Sequence, residues 1–433
     1  MNPSDMDGIV YGHRVSTVVP ASITEGEEKM THKLTNADLA MKLHYVRGVY
    51  LFRSLAVEGL SAVHLKDSLF PLLNSYYPAA GRIRRSPPEG GRPFIKCNDS
   101  GVRVVEAECQ KTVDGWLALT AGQSSPDPYD RLLRRDHFLG RDDDLAFSPL
   151  LFIQLTWFKC GGVSVGVSWA HVLGDPFSVS EFFTKMGQLV AGAANLPPPL
   201  PVHIPAETAD NNFPSSLGRI PPVGELWDLA PTSNMVTNTY HFSTKQIGQL
   251  LLISKSFFNA IAAVIWKSLA KVRRSPAGLK TVTVIKAPRR DGKDELRPAA
   301  GNWQAAISVV KVTMDVAEAD VAELAEKISE NAEEENGIIE EFAGLGENNV
   351  PSSDFYVYGA NLTFVDLEGA KIYEFELKGQ KPIYANYTIG GVGEEGAVLV
   401  LPEDSEGGRI VNVTLPEHLG QELANDLKGI LGN

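Results

Sequence analysis

Two α/β sandwich-like domains joined by a proline-rich crossover are what this chain predicts, and three observations carry that reading. Its 433 residues suggest two or three domains at roughly 150 residues each, and a composition 43% hydrophobic suffices to bury large cores. Residues 193–234 hold nine prolines and no sustained periodicity, too long a structureless connection for the inside of one compact domain. On either side of it strands and helices mix without strict βαβ alternation, and the second half repeats the logic of the first. The boundaries follow as a domain over 1–192, a linker over 193–234 and a domain over 235–433.

Taken in order, Val15 to Ala21 reads as a first strand. Leu34-Thr35-Asn36-Ala37-Asp38 is a turn with a cap, leading to Met41–Phe52, rich in aromatic and β-branched residues. Leu65, Leu69, Leu72, Leu73 and Tyr76 fall at helical spacing, and Pro78 and Gly81 end that helix. Phe94–Cys97 and Val102–Ala107 are short strands around Asn98-Asp99-Ser100-Gly101. Leu150–Phe158 alternates, and pairs through the turn Cys160-Gly161-Gly162 with Val163–Trp169. There Val163, Val165, Val167 and Trp169 face one way, as in a strand with one buried face, and His171 continues the row. An amphipathic helix follows from Phe177 to Val190, burying Phe182, Phe183, Met186 and Leu189.

In the second half Met235–Phe242, Thr281–Ala287 and Ala305–Thr313 read as strands. Phe258, Ile261, Ala262, Ile265, Trp266 and Leu269 stripe one helix; Val321, Leu324, Ala325 and Ile328 stripe another. Strands are expected around Leu362, Ile372, Tyr384 and Val398 and over Ile410–Leu415, before a last helix carrying Leu419, Leu423, Leu427 and Ile430.

Composition excludes several classes. A net charge of −13 argues against nucleic acid and against a broad dock on anionic lipid, though not against a local basic pocket. Three cysteines, Cys97, Cys109 and Cys160, form neither a disulfide framework nor a zinc motif, and read as small core residues. The polar, acidic segment Met1–Gly12 lacks the basic and apolar regions of a signal peptide, and no run approaches the ~18 to 20 apolar residues of a membrane span. A soluble chain of a reducing compartment is expected, so the Asn-x-Thr triplets at Asn361, Asn386 and Asn412 read as chance.

The residue with the strongest chemical reading is His171. An imidazole ending an apolar strand row is desolvated, which favours the neutral ring a general base needs. The bland alternative is a satisfied core histidine. Asp175, four residues on, precedes Pro176 and a helix, so it reads as an N-cap that fixes the loop, with Ser178-x-x-Glu181 as a competing capping box. Ser168, in Gly166-Val167-Ser168-Trp169-Ala170, half-matches a nucleophile elbow but sits inside a strand and lacks the closing glycine. Lys286, Arg289, Arg290 and Lys293 form a basic cluster that suits phosphates or an ordinary solvated loop; Arg289 or Arg290 is also a candidate partner for Asp175.

The His171-Val-Leu-Gly-Asp175 stretch resembles the His-x-x-x-Asp motif of the plant BAHD acyltransferases. The context agrees: Tyr76-Tyr77-Pro78-Ala79-Ala80-Gly81-Arg82, Ala263-Val264-Ile265-Trp266-Lys267 and Gly301-Asn302 match further family segments. The resemblance spans almost the whole chain. It implies two chloramphenicol-acetyltransferase-like domains with an active-site channel between them and no metal. By the same resemblance, His171 activates an acceptor for attack on an acyl-CoA thioester, and Asp175 points away toward an arginine. Two departures weaken the case for ordinary acyl transfer. Where the family carries Asp-Phe-Gly-Trp-Gly, this chain reads Glu376-Leu377-Lys378-Gly379-Gln380, and Pro176 replaces the glycine after the motif aspartate.

A narrower resemblance, to the Eceriferum-two/Glossy-two group of plant cuticular wax proteins, rests on Leu39–Arg47, Cys97–Gly101, Phe158–Gly162, Tyr358–Phe364 and Asn386–Ile389. It implies a role in elongating very-long-chain fatty acyl-CoAs beside a membrane-bound 3-ketoacyl-CoA synthase, on the cytosolic face of the endoplasmic reticulum. It also implies a monomer with no permanently bound cofactor, for which acyl-CoA is substrate or ligand. Within that resemblance, Arg289, Arg290 and Lys293 are candidates for the CoA phosphates. The two readings are an elongation accessory that needs no acyl transfer, and an acyl-CoA-dependent O- or N-acyltransferase with His171 as base.

Overall fold

The computed structural model describes residues 8–86, 91–120, 132, 144–193, 213–220, 233–273, 279–287, 301–302, 305–330, 333–342, 354–403 and 407–431. A six-stranded sheet runs Val10–Val18, Val102–Cys109, Leu151–Phe158, Val163–Ala170, Tyr45–Phe52, Tyr384–Gly390. Within it only Val102–Cys109 and Leu151–Phe158 pair in parallel. Helices Ala62–Ser75 and Pro176–Val190 cover it through Leu65, Leu69, Leu72 and Leu73 from the first and Phe182, Phe183 and Met186 from the second, all buried. The spacing of these apolar residues at three and four places one face of each helix against the core.

A seven-stranded sheet runs Met235–Phe242, Arg409–Pro416, Ala397–Pro402, Leu362–Asp366, Thr281–Lys286, Ala306–Lys311, Glu333–Glu334. Its strands alternate between two cores, as the two-residue period of a strand requires. Val398 and Val400 pack with the helices Phe257–Arg273, Val321–Glu330 and Glu417–Leu431. Ala397, Leu399 and Leu401 belong to the core that also holds the first sheet. The second sheet is therefore a wall, with helices on one side and the first half of the chain on the other.

Several elements differ from expectation. Tyr384–Gly390 lies beyond the crossover in sequence, yet it is the sixth strand of the first sheet, paired antiparallel with Tyr45–Phe52. All seven of its residues are buried, and Asn412 of the second sheet bonds to Asn386 and Tyr387, so this edge of the first sheet is covered and not left open to pairing. Ile372 sits in a short 3-10 helix, Ile372–Glu374, and not in a strand. Val163–Ala170 is buried on both faces, Ser164 and Ser168 included, and not on one face alone, since it is an inner strand of a sheet packed within the core. The capped turn expected over 34–38 is a short helix, Asn36–Ala40, capped by Thr35, and the strand expected from Met41 starts at Tyr45. Cys97 and Cys109 are buried, but Cys160 is exposed in its turn. Inside the crossover, Gly218–Ile220 pairs with Asp354–Tyr356, so this part of the connection is ordered against the second half.

Among the described residues no helix is long and apolar enough to cross a membrane.

Candidate functional site

His171 opens a single 3-10 turn, His171–Leu173, directly after the strand Val163–Ala170. Its backbone N–H donates to the His44 carbonyl at 3.1 Å, tying the turn to the head of the neighbouring strand. Gly174 then takes φ +147°, a conformation side chains resist, and a Cβ there would meet the Gly301 nitrogen at 2.8 Å. The Trp169 indole donates to the Gly174 carbonyl at 3.1 Å and holds the reversal. Asp175 is the N-cap of Pro176–Val190, accepting from the Ser178 N–H at 3.0 Å, with Pro176 at the first helical position. The Ser178 hydroxyl, the rival cap, donates instead to the Gly301 carbonyl at 3.0 Å.

Gly301-Asn302 thus docks on the His171–Ser178 turn, and Asn302 brings the second half to the imidazole. The Asn302 amide nitrogen donates to Asp38 Oδ1 and to the His171 carbonyl, each at 2.8 Å. Its oxygen therefore faces His171 Nδ1, also at 2.8 Å. An amide oxygen only accepts, so His171 carries its proton on Nδ1 and its lone pair on Nε2. That lone pair is met by the Tyr358 hydroxyl at 3.0 Å, which donates to it. His171 is fully buried, as are His44 and, to 1%, Tyr358. Burial pushes the His171 pKa down to about 4, the Asn302 bond partly opposing it. Burial, then the neighbouring His171, pushes His44 down to about 3. Burial and the nearby Asp175 carboxylate raise the Tyr358 phenol, so it stays a hydroxyl.

Both histidines are neutral in the fold and must be forced to charge. Their folded pKa values lie below the unfolded value of about 6.5, so the unfolded chain binds more protons and acid favours it. The contribution of these two rings to stability is present above about pH 6.5 and is lost as the pH drops toward 4. His171 alone accounts for ~3 kcal/mol of the loss. Urea midpoints measured between pH 7.5 and 4.5 should fall in wild type. The fall should be smaller in His171→Gln and His44→Gln, each relative to its own midpoint at pH 7.5.

Other sequence candidates lie apart from this centre. Arg289, Arg290 and Lys293 lie outside the described residues. Lys286 donates to Asn259 Oδ1 at 3.1 Å and its Nζ lies over the Phe258 ring. Ser168 is mid-strand, opposite Arg47 and Phe152, on no elbow. Leu377 and Gln380 close a two-residue hairpin, with Lys378 at φ 50° and Gly379 at φ 72°, where the family's Asp-Phe-Gly-Trp-Gly would fall. Asn302, Tyr358, His44 and Asp38 were not singled out as site residues. No local spacing marks them, since they come from three separate segments, around 38–44, at Asn302 and at Tyr358; the signal in the sequence is their place inside or beside the segments that carry the family resemblance.

A two-lobed α/β fold with a strand-end histidine at the seam of its sheets fits a BAHD-type transferase. Residues 12–423 match the model of the Transferase family, and the chain belongs to that family. It is 40% identical to Protein ECERIFERUM 2 of Arabidopsis thaliana over 95% of this chain and 97% of that one. The crystal structure of vinorine synthase superposes with a TM-score of 0.70 at 22% identity, covering 95% of this chain and 96% of that one. That of F. graminearum TRI101, complexed with coenzyme A and deoxynivalenol, superposes with a TM-score of 0.65 at 15% identity, over 92% and 97%.

Proposed function

We propose that this protein acts in cuticular wax biosynthesis, supporting elongation of very-long-chain fatty acyl-CoAs together with a 3-ketoacyl-CoA synthase. It works from the cytosolic face of the endoplasmic reticulum, as a monomer, without passing the acyl chain to a free alcohol or amine. The observation that carries the reading is that the lone pair of His171, the nitrogen an acceptor would need, already receives a buried hydroxyl. The similarity to ECERIFERUM 2 over nearly the full length supports the wax role. A related fold complexed with coenzyme A supports acyl-CoA as the ligand. Arg289, Arg290 and Lys293 are the residues we assign to its phosphates.

A second reading keeps acyl transfer, with His171 as general base and Asp175 fixing its loop. It is favoured by the neutral ring with its lone pair on Nε2. The discriminating experiment expresses His171→Ala in a host that makes very long acyl chains with a plant condensing enzyme. Chain lengthening equal to wild type is the expected result. A drop of ~10²–10⁴, the usual cost of a lost general base, in a variant that accumulates as folded protein like wild type, would favour the second reading instead.

A further inference from the structure

We propose that the Tyr358 hydroxyl stands where an acceptor's hydroxyl would stand, and that His44 positions it there, so that the chain itself withholds His171 from acyl transfer. This rests on the reading above, in that it supplies the reason an intact His and Asp do not transfer.

The geometry is a relay built from both halves. Asp38 and the His171 carbonyl orient Asn302, Asn302 orients His171, and His171 Nε2 accepts from Tyr358 at 3.0 Å. Nucleophile, base and orienting amide in one line is the pattern that activates an acceptor. Here the first member is a side chain of the protein. Burial keeps that phenol protonated, so it is a hydrogen-bond donor and not a phenolate.

His44 sets the position of both rings. Its carbonyl receives the His171 N–H at 3.1 Å. Its Nε2 accepts from the Val357 N–H at 3.0 Å, which leaves Nδ1 to donate to the Gly390 carbonyl at 3.4 Å. Its ring stands edge-on to Tyr358, with centroids 4.9 Å apart. Turn, tyrosine and the strand Tyr384–Gly390 are thus referenced to one buried imidazole. A Tyr358 that shifted away would leave His171 Nε2 and its own hydroxyl without partners in a dry interior, so the closed arrangement is the stable one.

The test uses the purified full-length chain with palmitoyl-CoA as probe. Tyr358→Ser removes the ring and opens room for water beside Nε2. Water then attacks the thioester carbonyl as His171 takes its proton, the C–S bond breaks, and the thiolate leaves as coenzyme A with that proton. Free coenzyme A, read by chromatography, is expected at the spontaneous rate with wild type. It should rise on the order of tenfold or more with Tyr358→Ser, and return to background with Tyr358→Ser/His171→Ala. Binding of a non-hydrolysable S-hexadecyl thioether of coenzyme A is measured on each variant. A variant that binds it like wild type but releases no coenzyme A overturns the proposal. So does a palmitoyl group found on Tyr358 of wild type by mass spectrometry, since the hydroxyl would then be an acceptor and not a block. Should Tyr358→Ser fail to fold, Tyr358→Phe keeps the ring and loses only the donor. NMR titration of ¹⁵N-histidine-labelled protein should then show His171 with a higher pKa than in wild type, because the bond favours the neutral ring. An unchanged titration overturns the proposal. Elongation in the host, assayed on the same variants, reads the broader role separately: its failure in wild type leaves coenzyme A release interpretable, and the converse holds.

Discussion

Asn302→Ala is expected to cost about 3–5 kcal/mol, more than any other single polar substitution in the seam. The amide closes three bonds at once: to Asp38 Oδ1, to the His171 carbonyl and to His171 Nδ1. Asp38, His171 and Asn302 are all at most 4% exposed, so water does not replace what is lost. Each buried group left unmade costs about 1–3 kcal/mol, and the carboxylate of Asp38 sits at the upper end. Part of its charge remains held by the Thr35 N–H at 2.9 Å, which keeps the total from being larger. Urea unfolding of Asn302→Ala against wild type, followed by tryptophan fluorescence and by circular dichroism, gives the number. A loss below ~1 kcal/mol would mean that the amide is not the clasp between the halves. Asn302→Asp should be worse at neutral pH, because it sets a second carboxylate against Asp38.

Gly187→Val is expected to produce the second large effect, about 2–4 kcal/mol, through packing alone. Gly187 lies in the helix Pro176–Val190, where this helix meets the segment that replaces the family's Asp-Phe-Gly-Trp-Gly. A Cβ there would approach the Glu376 carbonyl oxygen to 2.5 Å and its nitrogen to 3.2 Å. The obstacle is backbone, so no rotamer relieves it. Phe375, at the same contact, packs against Phe183, Tyr50 and Phe52, so the strain enters the central aromatic cluster. Gly187→Ala should cost less but keep the sign, since glycine's helical disadvantage of about 1 kcal/mol offsets part of the clash. Wild-type stability in Gly187→Val would show that helix and segment separate easily.

These two sites mark how far the residues alone can be read. The helix Ala62–Ser75 and the strands Leu151–Phe158 and Val163–Ala170 were legible because their apolar periods are local. The same is true of the Asp175-Pro176 cap, whose hydrogen bond spans three residues. Tyr384–Gly390 was legible as a strand but not as a member of the first sheet, since pairing across 333 to 345 residues leaves no mark on local pattern. The expected one-sided burial of Val163–Ala170 failed because burial depends on what packs over each face in space, which the two-residue alternation does not report.

What the sequence by itself determined is the inventory: the strand that ends in His171, the capped turn after it, the acidic composition and the family. What only the tertiary structure decided is the state of the imidazole. Its tautomer comes from Asn302, the hydroxyl on its other nitrogen from Tyr358, and its depressed pKa from burial between the two halves; the two partners lie 131 and 187 residues from it. A proton's position on a buried ring is set by which donors and acceptors surround it in space, and those neighbours are chosen by packing between sheets, not by order along the chain.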